Sequence, residues 1–335
     1  LPTETASMAD YVLPCTSPLQ RPDLPFIFPL MLGLQSRPYL QATRAIVPPE
    51  GDQRDEASIY LDLCRAAGGR LFGSTIAQKM LEMSRDFGRA FDPDGISDLP
   101  QEKLLDVLLR LCGQGSFNKL LKAQSGRMRP DHSPGDFLGQ RVVTDDQRID
   151  LAPPVLVDRS KALVVAFEAE QKAAGRLKLI TKRQVKTHNS WTHNLPDFVN
   201  GFGRTNRLYM HPEDAAERGL VDGDLVDVHA QAGSVRVPLS LSEDLCRGAV
   251  ALPHGWGHQA AHGLSVASRT SGVNVNVLAA DGTRDLDPIS GMAQLTGIVV
   301  DVEAAKGSLD SKHWTGMAPT DADRAALERS GAVIK

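Results

Sequence analysis

Hydrophobic and polar positions change their period near residue 175. Before it, apolar residues recur at helical spacing. From Asp55 to Ala67 the run DEASIYLDLCRAA sets Ile59, Leu61, Leu63 and Cys64 near one helical face, and Gly68-Gly69 supplies a stop. Asp98 before Leu99-Pro100 is a helix-start signal, and Leu104, Leu105, Val107, Leu108, Leu109 and Leu111 predict a helix buried on a wide face until Gly113. Similar spacing predicts helices near 74–87, 117–124 and 159–174. Between them, Arg127 to Leu151 carries Pro130, Pro134, Gly135 and Gly139 and reads as a long irregular connection.

From Leu177 the texture turns to short β-rich runs: LKLIT, RLYMH, LVDVHA, SVRVPLSL, AVAL and GIVVDV, bounded by Gly, Asp and Asn. One short helix interrupts them, where Pro212 opens the first turn, Glu213 and Asp214 favour its positive end and Gly219 stops it. Turns follow at Asp222-Gly223-Asp224 and Ala232-Gly233, and Pro238 is expected at a strand edge or bulge. The predicted division is 1–175, then a β-domain at 176–303, then a loosely attached tail at 304–335 in which 321–330 could form a short helix.

Composition excludes several classes. The 335 residues are 41% apolar and 23% charged, so disorder, collagen and membrane classes are disfavoured. The most apolar stretch, Pro25 to Leu34, is far short of the roughly 20 residues that span a bilayer. No membrane insertion is expected. Lys+Arg 37 against Asp+Glu 41 gives a net charge of -4, which offers no global attraction for nucleic acid. The first residues, LPTETASMADYVLP, show neither a basic n-region nor an apolar h-region, so the start reads as cut and the expected location is cytoplasmic. Cys15, Cys64, Cys112 and Cys246 form no C-x-x-C pair, which argues against a disulfide scaffold, a structural zinc or a complete iron-sulfur site and leaves four buried thiols.

Three polar clusters carry the candidate chemistry. Arg176 to Arg207 holds Arg176, Lys178, Lys182, Arg183, Lys186, Arg204 and Arg207 against one acid, Asp197, an anion-binding composition. Inside it, Thr187-His188-Asn189-Ser190-Trp191-Thr192-His193-Asn194 surrounds one indole with amides, hydroxyls and imidazoles that could line a heteroaromatic edge. In the second cluster, Pro253-His254-Gly255-Trp256-Gly257-His258, glycines flank an aromatic and allow close backbone approach; they also preclude a metal-binding helix. The third, Ser271-Gly272-Val273-Asn274-Val275-Asn276-Val277-Leu278, alternates Asn with Val, so in an extended segment both amides share a face; the alternative is turn capping.

These motifs in order, Thr181-x-Arg183, HNSWTHNLP, LYMHPEDAAERGLVDGDLVDVHAQAGSVRVPLSLSEDLCRGAVALPHGWGH and SGVNVNVLAADGTRDLDPISG, resemble the carboxy-terminal dinucleotide-binding domain of the molybdopterin oxidoreductases, the superfamily of dimethyl sulfoxide reductase, formate dehydrogenase and nitrate reductase. The upstream TETASMADYVLPCTSPLQR, PPEGDQRDEASIYLDLCRAAG and GDFLGQRVVTDDQRIDLAPPVL are similar to the part of those enzymes that precedes it. The resemblance implies part of an α/β molybdopterin oxidoreductase region over 1–175, then a six-stranded double-psi β-barrel over 176–303. It implies a molybdenum or tungsten bis(molybdopterin guanine dinucleotide) cofactor doing two-electron chemistry on a small substrate, as in formate dehydrogenase or nitrate reductase. By position, Thr181, Arg183, His188, Asn189, Ser190, His193 and Asn194 would line pterin and phosphates, His254, Trp256 and Gly257 a neighbouring loop, and Asn274 and Asn276 a pterin edge.

The chain departs from the family in one respect. The metal-ligating residue and the four-cysteine motif of a 4Fe-4S cluster lie, in the family, in an amino-terminal portion with no counterpart here, so no catalytic residue and no metal ligand is assigned to this chain. The expected partner is that portion, or a separate subunit carrying it, with electron-transfer subunits beyond. The competing reading is a non-catalytic binding or assembly protein that reuses the same barrel.

Overall fold

In the computed structural model, the described residues are 3–25, 39–70, 73–91, 99–129, 142, 144–172, 176–199 and 205–305. Contacts divide the chain into two units, Tyr11–Ala152, and Leu1–Asp10 with Pro153–Lys335. The expectations for Asp98, for most of 127–151 and for the helix at 321–330 lie outside the described residues.

The chain opens on α1 (Glu4–Ser7), which belongs to the second-named unit. The other unit contains β1 (Tyr39–Leu40), α2 (Glu56–Ala66), α3 (Thr75–Phe91), α4 (Gln101–Leu111), α5 (Phe117–Leu121) and β2 (Arg127–Met128), with β1 antiparallel to β2. Asp55 starts α2 by accepting a hydrogen bond from the Ser58 backbone N–H at 3.2 Å, and Ser116 caps α5 in the same way. The core of this unit is Leu24, Leu40, Leu109, Phe117 and Leu120. Two expectations need correction. On α2 the buried positions are Ser58 and Leu61 while Leu63 is exposed, and on α4 only Leu109 is fully buried. The reason is visible on α3, which turns its polar side inward: Arg85 is buried and pairs with Asp62, while Ile76, Met80, Met83 and Phe87 face outward.

The remaining unit adds α6 (Pro154–Lys172), none of whose side chains is fully buried, and then the barrel: β3 (Leu177–Lys182), β4 (Leu208–Met210), α7 (Pro212–Ala216), β5 (Leu225–His229), β6 (Ser234–Leu241), β7 (Ala249–Pro253) and β8 (Thr296–Ala304). All six runs expected to be strands are strands. They close in the order β3-β7-β4-β6-β5-β8, with β3/β7 and β4/β6 parallel and the other pairs antiparallel, as a double-psi barrel requires. Alternation sends Leu177, Leu179, Leu208, Met210, Val226, Val228, Val237, Leu239, Val250, Leu252, Val300 and Val302 into one core.

The closed barrel leaves no free strand edge, and Pro238 is a buried residue of β6 between the core residues Val237 and Leu239. It sits where β6 changes partner: Ser234 to Pro238 pair with β5, and Leu239 to Leu241 with β4. A missing N–H is tolerated at such a switch. The thiols are the other correction: Cys15, Cys112 and Cys246 are exposed and Cys64 is half-buried. Among the described residues no helix is long and apolar enough to cross a membrane.

Candidate functional site

Topology decides where the polar clusters fall. Because β3 and β7 run parallel, Lys182 and Pro253 end at the same rim, and antiparallel β7/β4 and β3/β8 bring the starts of β4 and β8 there too. The β5–β6 turn arrives at that rim as well: a Cβ on Gly233 would lie 2.8 Å from the Val277 carbonyl oxygen. The loops at 183–199 and 254–278 therefore face each other.

The contacts between them are specific. His254 bonds the Lys182 carbonyl through Nδ1 at 3.0 Å and meets Asn189 Oδ1 through Nε2 at 2.9 Å. The Trp256 indole N–H donates to Gln184 Oε1 at 3.0 Å. Asn194 Oδ1 accepts from the Val266 and Ala267 backbone N–H groups at 2.9 and 3.2 Å. Glycine is required where the loops touch. Gly255 (φ +85°) faces the Asn189 and Ser190 backbone, and a Cβ on Gly257 (φ +95°) would lie 2.6 Å from the Asn274 backbone nitrogen. His188, Asn189 and Ser190 have φ of 42°, 58° and 102°, a strained run at the tip of the loop.

Three aromatic rings pack against one another between these loops. His193 lies 4.4 Å from Trp256, centroid to centroid, and 5.4 Å from His258 in a T-shaped contact. His193 is 1% exposed, yet neither of its ring nitrogens has a hydrogen-bond partner among the described residues. Burial, and secondarily the neighbouring His258, pushes its pKa down to about 4. It is therefore a neutral imidazole at neutral pH.

The structure sorts the residues singled out from sequence. Asn194, His254, Trp256 and Asn274 spend polar atoms bracing the loops. The side-chain polar groups of Thr181, Arg183, His188, Ser190 and Asn276 make no hydrogen bond among the described residues, and Arg183, His188 and Asn276 are exposed. Asn274 and Asn276 do not share a strand face. Asn274 caps the 3-10 turn Val275–Leu278 by accepting from the Asn276 N–H, because burying Val275 and Leu278 calls for a period of three. The cationic stretch is also divided: Arg176 pairs with Asp301 and Lys178 with Glu170, while Arg183 and Lys186 stay exposed beyond β3.

Sequence reasoning missed further residues that hold the rim together: Asn206, Gln259 and Glu4. Asn206, fully buried, donates through Nδ2 to the Pro253 and Val273 carbonyls, and its Oδ1 accepts from the Val273 N–H, each at 2.9 Å. Gln259 donates to the Thr270 and Gly272 carbonyls. His258 meets Glu4 of α1. No local pattern marks Asn206 or Glu4, since their partners lie 47 to 254 residues away.

Comparison with known proteins now gives this rim a context. Residues 177–299 match the molydopterin dinucleotide binding domain. The chain is 26% identical to a trimethylamine-N-oxide reductase of Haemophilus influenzae over 76% of its length, and 33% identical over 23% of its length to a dimethyl sulfoxide/trimethylamine N-oxide reductase of Rhodobacter capsulatus. These matches span 31% and 10% of the respective relatives, so the chain covers about a third of the longer-matching relative's length. Acetylene hydratase from Pelobacter acetylenicus shares the fold, with a TM-score of 0.57 and 20% identity over 90% of this chain and 39% of that one. The match of residues 177–299 to the molydopterin dinucleotide binding domain, together with the similarity to trimethylamine-N-oxide reductase over 76% of the chain, supports a carboxy-terminal portion of a molybdopterin oxidoreductase.

Proposed function

We propose that this barrel rim caps a molybdopterin dinucleotide within a longer molybdenum- or tungsten-dependent oxidoreductase, whose remaining portion, or a partner subunit, supplies the metal ligand. The observation that carries the reading is the convergence of three polar clusters on one rim around a buried imidazole with both nitrogens unpartnered. An isolated rim has no use for such a group, which costs about 1 to 3 kcal/mol while unbonded. A large anionic heterocycle fits the donors present. Arg183 offers a guanidinium to a phosphate, Asn189 and Asn276 offer amides, His188 and His193 imidazoles, and Thr181 and Ser190 hydroxyls. His254, Trp256, Gly257, Asn194 and Asn274 hold those donors in place.

The cofactor, when bound, supplies two-electron redox chemistry at its metal, while the residues of this chain bind, orient and shield it. We assign it the bis(guanine dinucleotide) form and place any 4Fe-4S cluster in the remaining portion. The similarity to trimethylamine-N-oxide and dimethyl sulfoxide reductases favours a small N-oxide or S-oxide over formate or nitrate as the substrate. The competing assembly-protein reading has no comparable support, because a partner surface has no need of an inward, unpartnered imidazole.

The test is the metal and pterin content of the whole enzyme, purified as parent and as Arg183→Ala. Molybdenum or tungsten together with pterin dinucleotide is expected in the parent, with clearly lower occupancy in the variant. A parent free of both metal and pterin would sink the reading, and equal occupancy in the two proteins would remove Arg183 from the site.

A further inference from the structure

Helix α6 (Pro154–Lys172) is tied down near its end and open along its middle. Glu170 pairs with Lys178 of β3 at 2.8 Å, while Asp158 pairs within the helix with Lys161 at 2.6 Å. None of its side chains is fully buried. The middle reads Ala162-Leu163-Val164-Val165-Ala166-Phe167, six apolar residues in succession and all exposed, the four larger ones by 61 to 68%. At 3.6 residues per turn such a run passes through more than a full turn, so the helix is apolar on every side there. A helix that is apolar all round belongs in an interior, and exposed apolar runs of this length are avoided unless something uses them. Val164 and Val165 are β-branched and weaken a helix standing in water. Packing against another body, rather than local propensity, accounts for a helix here.

The same geometry limits what can cover it. A flat partner, whether a bilayer surface or a second copy packed about a two-fold axis, covers one stripe of a helix and leaves the opposite side in water. Covering every side takes a groove. The match to trimethylamine-N-oxide reductase spans 31% of that relative, so most of an enzyme of that length lies outside this chain and can supply one. We propose that α6 is a docking helix, seated in an apolar groove of the remaining portion of the enzyme. Strand β3 follows α6 closely and ends at the rim, so seating α6 also sets how the rim is presented to that portion. The inference rests on the reading above that the chain works within a longer enzyme, and it is independent of which cofactor that enzyme holds.

The experiment uses the whole enzyme, with any subunit that co-purifies. Photo-reactive benzoylphenylalanine takes the place of Phe167, irradiation is followed by peptide mapping, and metal and pterin are assayed in the same preparation. Cross-links to peptides outside these 335 residues are expected. Cross-links to a second copy, to other residues of this chain or to lipid, or no cross-link at all, overturn the docking. Where the substituted enzyme fails to assemble, hydroxyl-radical footprinting of the unmodified enzyme decides. Leu163, Val164, Val165 and Phe167 should be oxidised several-fold more slowly in the native enzyme than after unfolding. Equal rates overturn the proposal, and protection lost on dilution assigns the face to a second copy and overturns it too. Cross-links to the remaining portion in an enzyme free of metal and pterin would leave the docking standing and remove the cofactor reading, whereas cross-links elsewhere in a loaded enzyme would do the reverse.

Discussion

Replacing Asn206 by alanine should destabilise the barrel by roughly 3 to 6 kcal/mol, more than any exposed rim substitution. Its amide is the only described side chain that bonds both the end of β7, at the Pro253 carbonyl, and the third cluster, at Val273. Alanine fills none of that space with polar atoms, so two carbonyls and one N–H are left without their partner in a site that water reaches poorly. Each such group costs about 1 to 3 kcal/mol. Urea unfolding of the chain measures the loss, and hydrogen exchange should show 271–278 opening first. A change below about 1 kcal/mol would mean that the loop is held by other contacts.

The second large effect is on the pH dependence of stability. His193 is buried without a hydrogen-bond partner among the described residues and its pKa lies at about 4, whereas an unfolded histidine takes up its proton near pH 6.5. Between those values the unfolded chain binds more protons at this position than the folded one, so folding stability falls as pH is lowered through the window. The full difference is on the order of 3 kcal/mol, complete once the pH is below about 4 and absent above about 7. His193→Leu removes the proton site. Subtracting its stability curve from that of the parent isolates the contribution, which should steepen between those limits, and parallel curves would show that the ring is not held neutral by its surroundings.

The strands were legible because a barrel interior enforces a period of two, and turn residues such as Asp222-Gly223-Asp224 punctuate it. Their pairing order was not, since no local pattern says that β3 should lie between β7 and β8; the family resemblance implied a six-stranded barrel, and the order came with the structure. Helix α2 announced its start through Asp55, but which of its faces is buried depends on α3, and α3 presents Arg85 to Asp62 rather than its apolar stripe. The Asn-Val alternation at 273–277 suited a strand and a capped turn equally well. Tertiary burial of Val275 and Leu278 chose the turn. The His, Asn and Gly clusters were visible by composition, whereas Asn206, Gln184 and Glu4 act through contacts between residues far apart in sequence.

The central claim is that the rim formed by 183–199 and 254–278 binds the cofactor. Hydrogen exchange of the whole enzyme, with and without its molybdopterin dinucleotide, tests it most directly. Loading the cofactor should protect both loops, with the largest gains around His188 to His193 and Gly255 to Asn276, while strands β3 to β8 remain equally protected in both states. Equal protection of the two loops with and without cofactor would contradict the claim and make the rim a purely structural feature of the barrel.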